Sequence, residues 1–252
     1  MTTKPHRPRG IYLLPNLFTI GAIFAGFFAI ISSFKGNYDN AAISIFIAMI
    51  MDTLDGKVAR LTNTMTAFGA EFDSMADMVS FAVAPAFLAY TWGLSDLGKF
   101  GWISAFIYTV AVALRLARFN TQLDSSGKRY FQGLPCPSAA AIVSSLVWIC
   151  YDLGFTNKIT MIILALTMII VGILMVSNIR YRSFKDAELK NNVRFVVILA
   201  VVLAVALVSI DPEKVLFFIF TSYALSGPIA TVWGLQQKKR LRKITLLKPK
   251  KT

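Results

Sequence analysis

Long apolar segments follow one another along almost the whole chain, and they dominate what it can fold into. An α-helix needs about 20 predominantly apolar residues to cross the hydrocarbon layer of a membrane. Candidate segments occupy residues 13–33, 41–60, 69–92, 99–119, 136–153, 159–177, 194–210 and 215–235. Backbone polar groups must be satisfied internally inside a bilayer, which favours helices. The sequence therefore predicts an all-α, polytopic transmembrane helical bundle of about eight spans.

Basic residues are distributed unevenly among the segments that connect these spans. The formal net charge is +13. If both termini are cytoplasmic, most lysines and arginines lie on that side, and the exceptions are Lys35, Lys99, Lys158 and Lys214. Such an excess of positive charge on cytoplasmic loops is the usual bias of membrane proteins. The pattern predicts cytoplasmic termini and explains the charge without nucleic-acid binding. The basic tail is either a topology anchor or a contact for anionic lipid.

Other residues exclude several kinds of chemistry. The chain has one histidine, His6, which precedes the first predicted span; a single histidine gives no histidine metal triad, and its N-terminal position argues against a Ser/His/Asp arrangement. Cys136 and Cys150 lie in or beside one predicted span and are interpreted as small core residues.

Four aspartates lie at helical spacing in two neighbouring spans, where a membrane protein normally carries no charge. Asp52 and Asp55 are three positions apart, and Asp73 and Asp77 are four apart, so each pair shares a helix face. The short polar segment 60–68 can join two antiparallel helices whose acidic faces then meet. A charged carboxylate at the bilayer centre costs about 2.5 kcal/mol or more. Hard divalent cations neutralise clustered oxygen ligands, so the pattern predicts a metal site near the cytoplasmic ends of these helices.

Two glycines and an arginine accompany the aspartates. Gly56 follows Asp55, and Gly69 lies one turn before Asp73. Glycine in a membrane helix indicates either close helix packing or room for a ligand, and the neighbouring carboxylates favour the ligand. Arg60 is either a counter-ion or topology charge, or it joins the metal in binding a diphosphate during phosphoryl transfer.

The complete pattern is Asp52-x-x-Asp55-Gly56-x-x-Ala59-Arg60-x8-Gly69-x-x-x-Asp73-x-x-x-Asp77. It resembles the signature of the CDP-alcohol phosphatidyltransferases, which it matches without a gap. The resemblance implies an integral membrane enzyme with a divalent metal cofactor, namely two Mg²⁺ or Mn²⁺ ions. It implies that the first three aspartates are metal ligands, and that Asp77 touches metal and is the general base. It also implies that Arg60 engages the diphosphate, with Gly56, Ala59 and Gly69 at the CDP-lipid.

Four other segments resemble the branch of this family whose acceptor alcohol is serine. They are residues 12–19, 114–120, 131–139 and 175–181. Asn16 and Thr19 are candidates for contacts to cytosine and ribose, and Asn16 is equally suited to helix capping. Arg118 and Asn120 are candidates for binding L-serine, whose carboxylate suits a bidentate arginine. Arg118 is equally well explained as a topology charge, and Ser138 either contacts serine or caps its helix.

The resemblance implies transfer of the phosphatidyl group from CDP-diacylglycerol to the hydroxyl of L-serine, which gives phosphatidylserine and CMP. It implies a homodimer in a bacterial cytoplasmic (inner) membrane, with the active site facing the cytoplasm. Residues 1–190 would form the catalytic membrane domain, and residues 191–252 would add two transmembrane helices and a basic cytoplasmic tail to the same bundle. Two alternatives stay open: a sister enzyme that uses glycerol 3-phosphate or another alcohol, and an ion-coupled transporter with acids on its conduction path.

Overall fold

The computed structural model describes residues 13–62, 64–122, 130–182 and 209–247, and these residues are almost entirely helical. The helices in chain order are α1 (Leu13–Phe34), α2 (Tyr38–Leu61), α3 (Ala67–Asp77), α4 (Ala84–Trp92), α5 (Lys99–Gln122), α6 (Cys136–Asp152), α7 (Lys158–Val176) and α8 (Pro212–Leu247). A π-helical turn, Met78–Val83, continues α3 into α4, and a 3-10 turn, Leu94–Leu97, precedes α5. The predicted helical bundle is confirmed for this part of the chain.

Five helical segments of the described residues are long and apolar enough to cross a membrane. They are Leu14–Phe34, Ala67–Trp92, Lys99–Thr121, Lys158–Val176 and Pro212–Thr231. The predicted segments 41–60 and 136–153 are helical as well, but α2 carries charges in its second half and α6 has only 17 residues. The predicted span 194–210 lies almost wholly outside the described residues. The chain is therefore a helical membrane protein with several spans.

Within the described residues, a short antiparallel ladder departs from the all-α prediction. Strand β1 (Tyr130–Gln132) pairs with β2 (Arg180–Arg182). Next to it, Gly133 has a φ of +81°, and a Cβ there would collide with the main-chain carbonyl of Met175. The Gly133 N–H donates to the carbonyl of Ile179 at 2.9 Å. The ladder therefore holds the segment before α6 against the segment after α7.

Close packing around the π-helical turn fixes the direction of the helix that carries the last signature aspartate. A Cβ on Gly26 of α1 would lie 2.8 Å from the Cα of Ser80 in the turn, so only glycine permits this approach. The Ser80 hydroxyl donates to the carbonyl of Ala22 at 2.9 Å. From the other side, the buried Tyr108 of α5 donates its hydroxyl to the carbonyl of Phe81 at 2.8 Å. Thus α1 and α5 both hold the turn in place.

Candidate metal and substrate site

The aspartates of the two predicted acidic faces come together between α2 and α3. One carboxylate oxygen from each of Asp52, Asp55 and Asp73 lies within 4.8 Å of the others. Asp55 is buried, at 5% exposure, and the other two are partly buried. The carboxyl group of Asp77 lies within hydrogen-bonding reach of Asp52. All four carboxyl groups of the signature therefore belong to one cluster.

The cluster has the donor chemistry of a divalent metal site. Within the described ranges no lysine or arginine pairs with these aspartates, and the ion pairs there join Lys214 to Asp211 and Glu213 at the start of α8. Oδ1 of Asp73 is buried and has no hydrogen-bond partner. Neighbouring carboxylates repel one another unless a proton or a cation compensates them. Carboxylate oxygens are the ligands that Mg²⁺ and Mn²⁺ prefer, so these residues fit such an ion.

Thr19 supports the cluster from α1. Its side chain is buried, and its hydroxyl donates to Oδ2 of Asp55 at 2.9 Å. The same hydroxyl also lies 3.2 Å from the carbonyl of Pro15. Hydrogen bonds of this kind fix the orientation of a carboxylate that binds metal. The structure thus places Thr19 beside a candidate metal ligand, and its predicted contact with the nucleotide stays a prediction.

Polar side chains lie close to both signature glycines. Nη2 of the exposed Arg60 is 3.5 Å from the position that a Cβ on Gly56 would occupy. Gly69 donates its N–H to the hydroxyl of Thr66, the N-cap of α3, at 3.0 Å. Oδ1 of Asn16 is 3.8 Å from the Cβ position of Gly69. Ala59, which precedes Arg60 and is partly buried, completes the signature, and its carbonyl accepts the N–H of Thr64 at 3.0 Å.

Arg118 is held by neutral acceptors around the ladder. Its guanidinium donates to the side chain of Gln132, to the side chain of Asn178 at 2.6 Å, and to the carbonyl of Val176 at 3.3 Å. These contacts join α5 to β1, to the end of α7 and to the segment between α7 and β2. In this structure the arginine therefore has a structural role, and the predicted contact with the serine carboxylate stays a prediction.

The two other candidates for serine binding lie near the end of α5 and in the first turn of α6. Nδ2 of Asn120 is 3.1 Å from the hydroxyl of Ser74 and 3.4 Å from Oε2 of Glu71, which joins the end of α5 to α3. Glu71 therefore faces α5. Ser138 is buried in the first turn of α6, at 7% exposure.

Arg115 is a candidate that the sequence analysis did not single out. Its Nη1 donates to Sγ of Cys136 at 3.0 Å, and its Nε is buried without a partner. Its guanidinium also lies close enough to Asp77 to interact with it electrostatically. A positive group with an unpaired N–H beside the cluster is suited to an anionic ligand. The signal was present, because Arg115 and Arg118 are three positions apart and share a face of α5.

Comparison with known proteins gives a consistent set of similarities. The sequence profile of the CDP-alcohol phosphatidyltransferase family matches residues 12–174. A Helicobacter pylori protein named CDP-diacylglycerol–serine O-phosphatidyltransferase is 36% identical over 219 residues, which cover 87% of this chain and 91% of that protein. A protein of the same name from Methanocaldococcus jannaschii is 36% identical over 227 residues, covering 90% and 98%. Another from Bacillus subtilis is 35% identical over 178 residues, covering 71% and 94%.

Proposed function

Because this chain belongs to the CDP-alcohol phosphatidyltransferase family, we propose that it transfers the phosphatidyl group of CDP-diacylglycerol to L-serine. The products are phosphatidylserine and CMP. The observation that carries this proposal is the cluster of four carboxyl groups at the family spacing. Serine as the acceptor is supported by the printed names of relatives that match most of this chain.

Different residues in and around the cluster bind the metal and the CDP-diacylglycerol. Asp52, Asp55 and Asp73 are the metal ligands, and Thr19 keeps the Asp55 carboxylate in a fixed orientation. Divalent cations bound there supply positive charge that stabilises the diphosphate and the departing CMP. Arg60, exposed at the end of α2, donates hydrogen bonds to the diphosphate. Asn16 lies at Gly69 on the same side, where it can contact the nucleotide.

Asp77 is the general base as well as a metal contact. The serine hydroxyl does not ionise by itself near neutral pH, so transfer needs a group that takes its proton. Asp77 removes that proton while the serine oxygen attacks the phosphorus of the phosphatidyl group. The bond from this phosphorus to the bridging oxygen breaks, and CMP leaves with the electron pair. The position of Asp77 at the end of α3, beside Asp52, supports this role.

The bound serine needs polar partners near Asp77, and its carboxylate in particular needs a positive one. We keep Arg118, Asn120 and Ser138 as candidates and add Arg115, whose buried Nε has no partner. Arg115 is favoured because it lies close to Asp77, whereas Arg118 is occupied by Gln132 and Asn178.

The membrane arrangement follows from the same proposal. We place both termini and the metal site on the cytoplasmic side of a bacterial inner membrane, with eight spans. The supports are the charge asymmetry of the loops and the need for serine to reach the site from water. Residues 1–190 then hold the catalytic machinery, and residues 191–252 complete the same bundle. A homodimer is proposed from the family resemblance alone.

One assay tests the proposed function. Purified protein is incubated with CDP-diacylglycerol, Mg²⁺ or Mn²⁺, and one of several alcohols, and CMP release is measured. Serine is expected to give far more CMP than glycerol 3-phosphate, inositol phosphate or water. Equal or faster release with another alcohol would assign a sister activity. Ion flux without CMP release from any alcohol would favour the transporter instead.

A further inference from the structure

The last helix, α8, contains a carbonyl group that no backbone N–H of the same helix can satisfy. Pro228 lies inside α8 and has no N–H. The carbonyl of Ala224, four positions earlier, therefore lacks the donor that a helix normally provides. The hydroxyl of Tyr181, from β2, donates to this carbonyl at 3.0 Å, and both residues are buried. A buried carbonyl without a partner is destabilising, so Tyr181 replaces the missing backbone donor.

The same part of α8 also provides space for the tyrosine ring. A Cβ on Gly227 would lie 2.9 Å from Cδ1 of Tyr181 and closer still to Cε1 and Cζ. Any side chain larger than hydrogen would therefore expel the ring. We call residues 224–228 the α8 notch, since they combine a freed carbonyl with room for an aromatic ring. Tyr181 is fully buried there, at 0% exposure.

Tyr181 also contacts a second aromatic residue of α8, Tyr223, and so connects the notch to residues near the catalytic cluster. The rings of Tyr181 and Tyr223 have centroids 5.6 Å apart and are tilted by 42°. Tyr223 in turn lies close enough to Arg115 for an electrostatic interaction. Arg115 is the group that approaches Asp77 and Cys136 from α5. Hydrogen bonds, a ring contact and electrostatic interactions therefore link the α8 notch, through Arg115, to the proposed general base.

We propose that insertion of Tyr181 into the α8 notch positions Tyr223 near Arg115 and thereby keeps Arg115 near Asp77. Tyr181 and Tyr223 are positioning residues, because they act through Arg115. The role of Arg115 towards the acceptor alcohol rests on the proposed function. The last helix is then a working part of the active site, although it lies beyond the residues 12–174 that the family profile matches.

A double-mutant cycle in thermal stability tests the notch itself. Tyr181→Phe keeps the ring but removes the donor, so the Tm of the purified full chain should fall by a few degrees. Pro228→Ala restores a backbone N–H that can satisfy Ala224. In the Pro228→Ala background, Tyr181→Phe should therefore lower the Tm much less. Equal losses in both backgrounds would overturn the notch, whether or not the protein uses serine.

Steady-state kinetics test the positioning role. Tyr181→Phe and Gly227→Ala should each raise the KM for serine about tenfold and leave the KM for CDP-diacylglycerol nearly unchanged. Pro228→Ala should restore the serine KM of Tyr181→Phe. Gly21→Ala is the matched control, because its Cβ would meet only Met51, at an ordinary 3.6 Å.

The possible failures are distinguishable. An unchanged serine KM in both variants, or equal changes in the KM for both substrates, would show that the notch is only structural. Failure of the wild-type protein to release CMP with serine would refute the proposed function, and the stability cycle would still decide whether the notch exists.

Discussion

The hydroxyl of Thr19 on α1 donates to Oδ2 of Asp55 on α2 at 2.9 Å, and this bond ties the first helix to the carboxylate cluster. Thr19→Val keeps the shape of the side chain but removes the donor. We expect it to weaken metal binding about 10- to 100-fold, as loss of an outer hydrogen bond to a metal ligand typically does. Titration of CMP release with Mn²⁺ measures the effect.

Two further variants test whether the effect on metal binding is specific to the Thr19 hydroxyl. Thr19→Ser retains the hydroxyl and should keep most of the metal affinity. Thr167→Val removes a hydroxyl that bonds only to the carbonyl of Ile163 in its own helix, at 2.8 Å, and should leave it unchanged. Normal metal affinity in Thr19→Val would show that this bond does not orient Asp55.

The three proposed metal ligands, Asp52, Asp55 and Asp73, can each be replaced by asparagine. Asn at Asp52, Asp55 or Asp73 removes one negative charge from the cluster and should abolish turnover at low metal concentration. The same variants should lose the rise in Tm that Mg²⁺ or Mn²⁺ gives the wild type. Asp39→Asn is the control, because this acid lies in the first turn of α2, about 20 Å along the helix from Asp52. Near-normal activity of all three variants at low metal would exclude the proposed site.

The convergence of these acids was predictable because it follows from local periodicity and a short connection. Spacings of three and four residues fix a helix face wherever the helix lies. The contact of Thr19 with Asp55 was not predictable in the same way, since it depends on how α1 packs on α2. The β1–β2 ladder was not predicted, because strands of three residues are too short to show a recognisable alternation of apolar and polar residues. The hydrogen bond from Tyr181 to the carbonyl of Ala224 depends on tertiary packing, so the sequence alone does not reveal it.

The π-helical turn gives a prediction about stability. Tyr108→Phe leaves the buried carbonyl of Phe81 without the hydroxyl that donates to it at 2.8 Å. An unsatisfied buried acceptor costs about 1–3 kcal/mol, so the free energy of unfolding should fall by that amount. Tyr90→Phe, at a more exposed position, should have little effect. Equal stability of the two variants, measured in the same detergent, would contradict the assignment.

The proposed topology can be tested by labelling introduced cysteines with a membrane-impermeant reagent. Asp96→Cys and Asp211→Cys should react from the outer side, because the distribution of basic residues places both loops there. The native Cys136 and Cys150 are buried and should stay unlabelled. Reaction of position 96 or 211 from the cytoplasmic side alone would overturn the arrangement.

The central claim is that Asp77 takes the proton from serine, whereas Asp52 serves as a metal ligand. Asp77→Asn keeps the size of the side chain and one oxygen ligand but removes the base. The deciding measurement is CDP-diacylglycerol affinity and CMP release on the same purified variant. We predict that turnover falls about 10²- to 10⁴-fold, while affinity stays close to that of the wild type. Loss of affinity as complete as in Asp52→Asn would contradict the claim and make Asp77 chiefly a metal ligand.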